Sequence, residues 1–134
     1  FRYVNNADPL KAKQLFKGLD QLMDEGVAQL FTLDINGRKV VGTVGALQFE
    51  VIQYRLEHEY GAKCSYENLP VHKACWVEPE NPRGAEFKEF KRVKQRYLAT
   101  DKQGQLVFLA DSAFTIQMTQ QKYPTVKLHF TSEF

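Results

Sequence analysis

Two turns of the form D-x-x-G, Asp34-Ile35-Asn36-Gly37 and Asp101-Lys102-Gln103-Gly104, lie in this chain at a common offset of 67 (101 − 34 and 104 − 37). Each separates two runs rich in β-forming residues, and Asn-Gly is the strongest short-range hairpin signal. A hairpin repeated at a fixed offset points to an internal duplication. Tyr60 and Tyr123, each followed by a helix-stopping residue, correspond at an offset of 63 (123 − 60). The last helix of the second copy is therefore expected to be about one turn shorter than that of the first.

The flanking segments fill in both copies. Phe1-Arg2-Tyr3-Val4 reads as a strand, because β-branched and aromatic residues favour a pleated surface. A chain whose first residue already lies in such a run, without Met, reads as part of a longer protein. Asp8-Pro9 then predicts a helix from Pro9 to Glu25, with Asp as the cap, Pro preset for the first turn and Gly26 past the end. Its apolar residues Leu22, Leu15, Leu19, Ala12, Met23 and Phe16 fall within an arc of about 120°. Strands are expected over Val27 to Asp34 and Lys39 to Val44, a helix over Ala46 to Tyr60 before Gly61, and a strand over Ala62 to Glu67.

In the second half, strands are expected over Lys73 to Val77, Tyr97 to Thr100, Leu106 to Ala110 and from Val126 onward. Helices are expected over Ala85 to Lys94 and Ser112 to Tyr123, the latter stopped by Pro124. The predicted fold is α+β. A ferredoxin-like plait (βαββαβ, residues 1–69) is followed by a second, smaller plait-like βαββαβ unit (residues 70–134) packed on the first. Each has an antiparallel sheet with its helices on one face. The Ala46 to Tyr60 helix carries two apolar stripes, one of Phe49, Ile52, Leu56 and Tyr60, the other of Leu47, Val51 and Tyr54. A helix covering one sheet needs a single stripe, so Leu47, Val51 and Tyr54 are expected to be buried between the two units.

Composition narrows the function classes. With 134 residues, 43% hydrophobic and 25% charged, the chain can bury a core without staples. No apolar run approaches the roughly 20 residues of a membrane span. Cys64 and Cys75 are too few for a disulfide framework and form no C-x-x-C pair. Among His58, Cys64, His72 and Cys75 only His72-x-x-Cys75 is compact, so no metal site is expected. The chain has no G-x-S-x-G elbow, H-E-x-x-H or phosphate-binding G-x-x-x-x-G-K-[ST]. Glu50 and Glu57 share one side of a helix, where carboxylates are ordinarily just solvated. Gly42-Thr43-Val44-Gly45 has the spacing of an RNA-clamping GxxG loop, but at a strand end before a helix it reads as close backbone packing. No catalytic residue is expected.

The basic residues are more informative. Lys88, Lys91, Arg92, Lys94 and Arg96 crowd one segment beside Phe87, Phe90 and Tyr97, and such clustering supplies sequence-independent affinity for nucleic acid. Cations in the last turn of a helix also complement its dipole. The first helix reverses that preference, with Lys11, Lys13 and Lys17 near its start and Asp20, Asp24 and Glu25 near its end. Charges set against the dipole point to an outside partner that wants cations there, such as a phosphate backbone.

A family likeness rests on particular stretches. Gly45-Ala46-Leu47-Gln48-Phe49-Glu50-Val51-Ile52, continuing to Arg55-Leu56 and Glu59-Tyr60, resembles the third domain of translational GTPases. In the ribosomal translocase the corresponding G-x-L-H-L-E has His where this chain has Gln48 and Leu where it has Phe49. Together with Asp8-Pro9-Leu10-Lys11-Ala12-Lys13-Gln14-Leu15, and with Cys75-Trp76-Val77 before Phe87-Lys88-Glu89-Phe90, the chain resembles the C-terminal domain of the bacterial class II peptide chain release factors.

The resemblance implies a non-catalytic domain of a cytoplasmic translation-termination GTPase. It also implies upstream nucleotide-binding and barrel domains that bind GTP or GDP with Mg, and no nucleotide residue or cofactor in this chain. The implied partners are the ribosome, the upstream domains and, as a further candidate, the class I release factor that the parent recycles. The basic residues Lys88, Lys91, Arg92, Lys94, Arg96, Lys11, Lys13 and Lys17 are the expected ribosomal RNA contacts. A different reading is a regulatory pair of plaits that senses a small molecule between them, since fold alone does not choose function.

Overall fold

The structure, a computed structural model, describes all 134 residues. The chain divides into two compact units, Phe1–Phe31 with Arg38–Leu69, and Thr32–Gly37 with Pro70–Phe134. The segment Thr32–Gly37 departs from a single cut after Leu69, and its hydrogen bonds say why. The Asp34 amide donates to the Leu98 carbonyl (3.0 Å) and Thr100 Oγ1 donates to Asp34 Oδ1 (2.8 Å).

The first unit runs β1 (Arg2–Asn6), α1 (Ala12–Asp24), β2 (Gln29–Leu33), β3 (Lys39–Gly42), α2 (Leu47–Tyr60) and β4 (Cys64–Asn68). Its strand order is β4-β1-β3-β2, with β1 antiparallel to both neighbours, Arg2 opposite Asn68 and Val41. Asp8 caps as expected, its carboxylate accepting from the Leu10 amide at 3.0 Å. Pro9, however, opens a 3-10 turn (Pro9–Lys11), and the α-helix begins only at Ala12. The helix ends in a Schellman motif: Gly26 takes φ 78°, its amide donates to the Met23 carbonyl, and the Val27 amide donates to Leu22.

Leu15, Leu19 and Leu22 of α1 meet Phe49, Ile52 and Leu56 of α2 over Val4, Leu30, Val41 and Cys64, so both helices cover one sheet face. One sequence expectation is corrected here. Phe16 is 45% exposed rather than part of the buried stripe, with Lys39 Nζ lying 5.8 Å from its ring. Within the first unit, Leu47, Val51 and Tyr54 lie off the buried face of α2, exposed at 67%, 39% and 63%. Phe49, Ile52 and Leu56 are the residues α2 buries against the sheet, and the Tyr54 ring lies against His58, centroids 4.1 Å apart and tilted by 34°.

The second unit repeats the plan with β5 (Lys73–Pro79), α3 (Ala85–Val93), β6 (Leu98–Asp101), β7 (Leu106–Ala110), α4 (Ala113–Lys122) and β8 (Val126–His129). Its order, β6-β7-β5-β8, is the same fourth-first-third-second arrangement of a ferredoxin-like plait read from the other edge. Phe90 sits at the centre of its core, edge-on to Phe108 (5.8 Å) and Tyr123 (5.7 Å). Ser112 caps α4 by accepting from the Thr115 amide at 3.0 Å. With 10 residues, α4 is shorter than the 14-residue α2 by the expected turn. The equivalent hairpin turns place Gly37 at φ 72° and Gly104 at φ 83°, conformations that glycine adopts without strain.

Candidate nucleic-acid interface

Amphipathic helix geometry sorts the side chains of α3. Phe87 and Phe90 point into the core, while Lys88, Lys91 and Arg92 fall together within an arc of about 100° at helical spacing. All three are exposed, as is Arg96 in the 3-10 turn Gln95–Tyr97 that follows. None of the four pairs with a carboxylate; Lys91 rests its Nζ 4.6 Å from the Phe87 ring centroid. Glu86 lies off this arc and is engaged elsewhere, accepting from the Thr125 amide at 2.9 Å. Lys94 is drawn away from the group: it is half-buried, with Nζ 5.5 Å from the Phe108 ring. The helix thus gathers three of the five expected cations on one face, Arg96 continues past its end, and Lys94 turns inward.

On the first unit, Lys13 and Lys17 stand one turn apart on α1 and are exposed, whereas Lys11 is half-buried in the preceding 3-10 turn. No acidic residue occupies the first turn of α1 and no basic residue its last, so the charge pattern set against the dipole is present in the folded helix.

The residues that suggested chemistry are engaged structurally. Cys64 and Cys75 are buried on β4 and β5. Desolvation, the largest cause, raises the Cys64 thiol above its usual range and pushes Cys75 up to about 12, so both stay protonated near neutrality. His58 and His72 are exposed, and no three His, Cys, Asp or Glu side chains converge. Glu57 lies 3.8 Å from Lys63. Asp101 is a turn organiser, accepting from the amides of Gln103 (3.0 Å) and Gln105 (2.8 Å) and from the Trp76 indole (2.9 Å).

The family model for the C-terminal domain of class II release factor RF3 matches residues 1–120. The chain belongs to this family. It is therefore a domain of a translation-termination GTPase, and not the domain in which such a protein carries its catalytic machinery. No helix of the RF3 domain is long and apolar enough to cross a membrane.

Sequence reasoning missed two features of the RF3 domain. On the strand face away from α1 and α2, the Arg38 guanidinium stacks 3.6 Å over Tyr3 and donates to Asn5 Oδ1 (3.0 Å) and Glu67 Oε2 (2.6 Å). These partners come from two strands, β1 and β4, far from Arg38 in sequence, so spacing gave no sign of them. The second is a groove on the second unit lined by Val93 of α3 and by Phe114 and Met118 of α4. The i, i+4 spacing of Phe114 and Met118, off the buried Ile116 side, was the available signal.

Proposed function

We propose that this RF3 domain is a non-catalytic docking and relay module. Its α3 cations contact ribosomal RNA while its parent GTPase promotes recycling of class I release factors. The observation that carries this reading is the exposed group Lys88, Lys91, Arg92 and Arg96, four cations without a carboxylate partner on one short segment. Unpaired cations mounted on a packed helix engage phosphates with little ordering cost and release counterions as they do so. Lys13 and Lys17 provide a second such group on the first unit. Each group sits over a buried apolar core, and a protein core packed to ordinary density carries a displacement rather than absorbing it.

The test is factor recycling by the full-length parent protein. Lys88, Lys91, Arg92 and Arg96 changed together to Ala should slow recycling and weaken ribosome binding. The same change at Lys11, Lys13 and Lys17 reports on the second group. Unchanged recycling and ribosome binding in both variants would remove the RNA-contact assignment.

A further inference from the structure

The groove beside the C-terminus of α3 belongs to none of the functions considered so far. Its lining comprises Val93 and Lys94 from the end of α3, and Phe114, Thr115, Met118 and Lys122 along one side of α4, with Tyr123 beyond. Phe114, Met118 and Lys122 follow one another at i, i+4 spacing and so share a face. That face leaves large apolar groups in water: Phe114 is 68% exposed, Met118 47% and Val93 43%. The core of the second unit is already complete without them, through Ile116, Phe90 and Tyr123.

We infer that this groove is a docking site for an acidic amphipathic helix of a protein partner, one that inserts apolar side chains between Phe114, Met118 and Val93 and sets carboxylates against Lys94 and Lys122. Charge is the first ground. The lining contains two cations and no carboxylate, and neither lysine has an anionic partner; their Nζ atoms lie over the Phe108 and Tyr123 rings instead, each at 5.5 Å. Lysines flanking an apolar strip with no carboxylate of their own favour a partner with carboxylates on either side of its apolar strip.

Size is the second ground. The groove holds about 180 Å³, below the roughly 300–1,000 Å³ of small-molecule sites, but open and long enough in its lining to take side chains at i, i+4 spacing. Methionine and valine walls favour aliphatic side chains over stacked bases, for which only one exposed ring, Phe114, is available. A protein helix fits this lining better than RNA does.

The experiment is fluorescence anisotropy with the 134-residue chain and a labelled peptide of about 15 residues, leucines at helical spacing with glutamates between them. Its controls are the same peptide with lysine for glutamate and a single-stranded RNA of similar length. The glutamate peptide should bind. Met118→Glu and the double change Phe114→Ser with Lys122→Glu should each weaken it at least ten-fold without lowering the melting temperature, because these side chains are surface groups. Arg83→Glu, an equal charge change elsewhere on the second unit, should leave affinity within two-fold. Absence of binding, equal binding of the lysine peptide, or affinity indifferent to Met118→Glu would overturn the proposal. So would RNA that binds with the same dependence on Phe114 and displaces the peptide. Ribosome binding and recycling play no part in this measurement, so it stands or falls apart from the RNA-contact reading.

Discussion

Leu56 leaves no room for a side chain at Gly18: a Cβ built there would lie 2.7 Å from Leu56 Cδ2 and 2.9 Å from the Tyr60 ring. Gly18 is buried in the middle of α1, and its missing side chain is what lets α2 pack against that helix. Alanine in its place would gain about 1 kcal/mol of helix propensity. Overpacking costs about 1–3 kcal/mol in a filled core, and Leu56, wholly buried, has nowhere to retreat. Gly18→Ala should therefore destabilise the domain by about 1 kcal/mol net, and Gly18→Val by more. Equilibrium urea unfolding checks this, and a stabilised Gly18→Ala would show that the helices can separate freely.

Asp101 gathers three donors, two backbone amides and the Trp76 indole. Trp76 is 3% exposed, so its N–H has little access to replacement water. Asp101→Ala strands that donor and releases the turn, and should cost about 2–3 kcal/mol. Asp101→Asn keeps an acceptor and should recover a good part of the loss. Trp76 is the sole tryptophan, so its fluorescence reports both the unfolding midpoint and any change at the indole. Equal stability of the Ala and Asn variants would mean that the carboxylate is not what holds the turn.

Asp101 and Asp34 also show what the sequence could and could not reveal. Their shared D-x-x-G pattern located both hairpins, and with them the duplicated plait, because turn chemistry is local and needs no knowledge of neighbours. Their side-chain roles are not shared. Asp101 organises its own turn, whereas Asp34 accepts from Thr100, 66 positions away, and this brings Thr32–Gly37 into the second unit. The apolar stripes of α1 and α3 were legible for the same local reason. The second stripe of α2 marks the limit of that signal, because periodicity records which residues share a face, not whether anything covers it. On α3, spacing placed Lys88, Lys91 and Arg92 together but gave no warning that Lys94 turns towards Phe108, a contact set by the sheet beneath.

Arg55 ties α2 to the end of α1. Its guanidinium donates to both Glu25 oxygens (2.5 and 3.2 Å) and to Glu59, the latter also through Nε. Hydrogen bonds from Arg55 are the largest cause holding both glutamates below the usual carboxylate range. A group with a depressed folded-state pKa contributes stability above its unfolded value, near 4.3, and loses it as pH falls through the folded value. The melting temperature of the native domain should thus exceed that of Arg55→Met at pH 7, and the gap should close as pH drops below about 4. Because the three groups are solvent-accessible, molar salt should narrow the gap at pH 7 as well. A difference that is constant between pH 7 and pH 3 would assign the effect of Arg55 to packing of its stem.

The α3 cations lend themselves to a count. Each phosphate neutralised by a lysine or arginine contributes close to 0.9 to the slope of log affinity against log salt on a B-form duplex, and about 0.7 on single strands. Replacing Lys88, Lys91 and Arg92 together by Ala should flatten the slope for an RNA hairpin by about 2 to 3, with affinity falling most at low salt. Replacing Lys94 alone should change it far less, since its ammonium group lies over Phe108 rather than in the exposed arc. This contrast separates an ordered contact face from a diffuse positive charge, for which any one of the four lysines and arginines would count the same. A titration over 50 to 200 mM salt, about the range in which such slopes are well determined, decides it. Equal losses from Lys94→Ala and from Lys88→Ala would show that the helix geometry does not select which cations meet the phosphates.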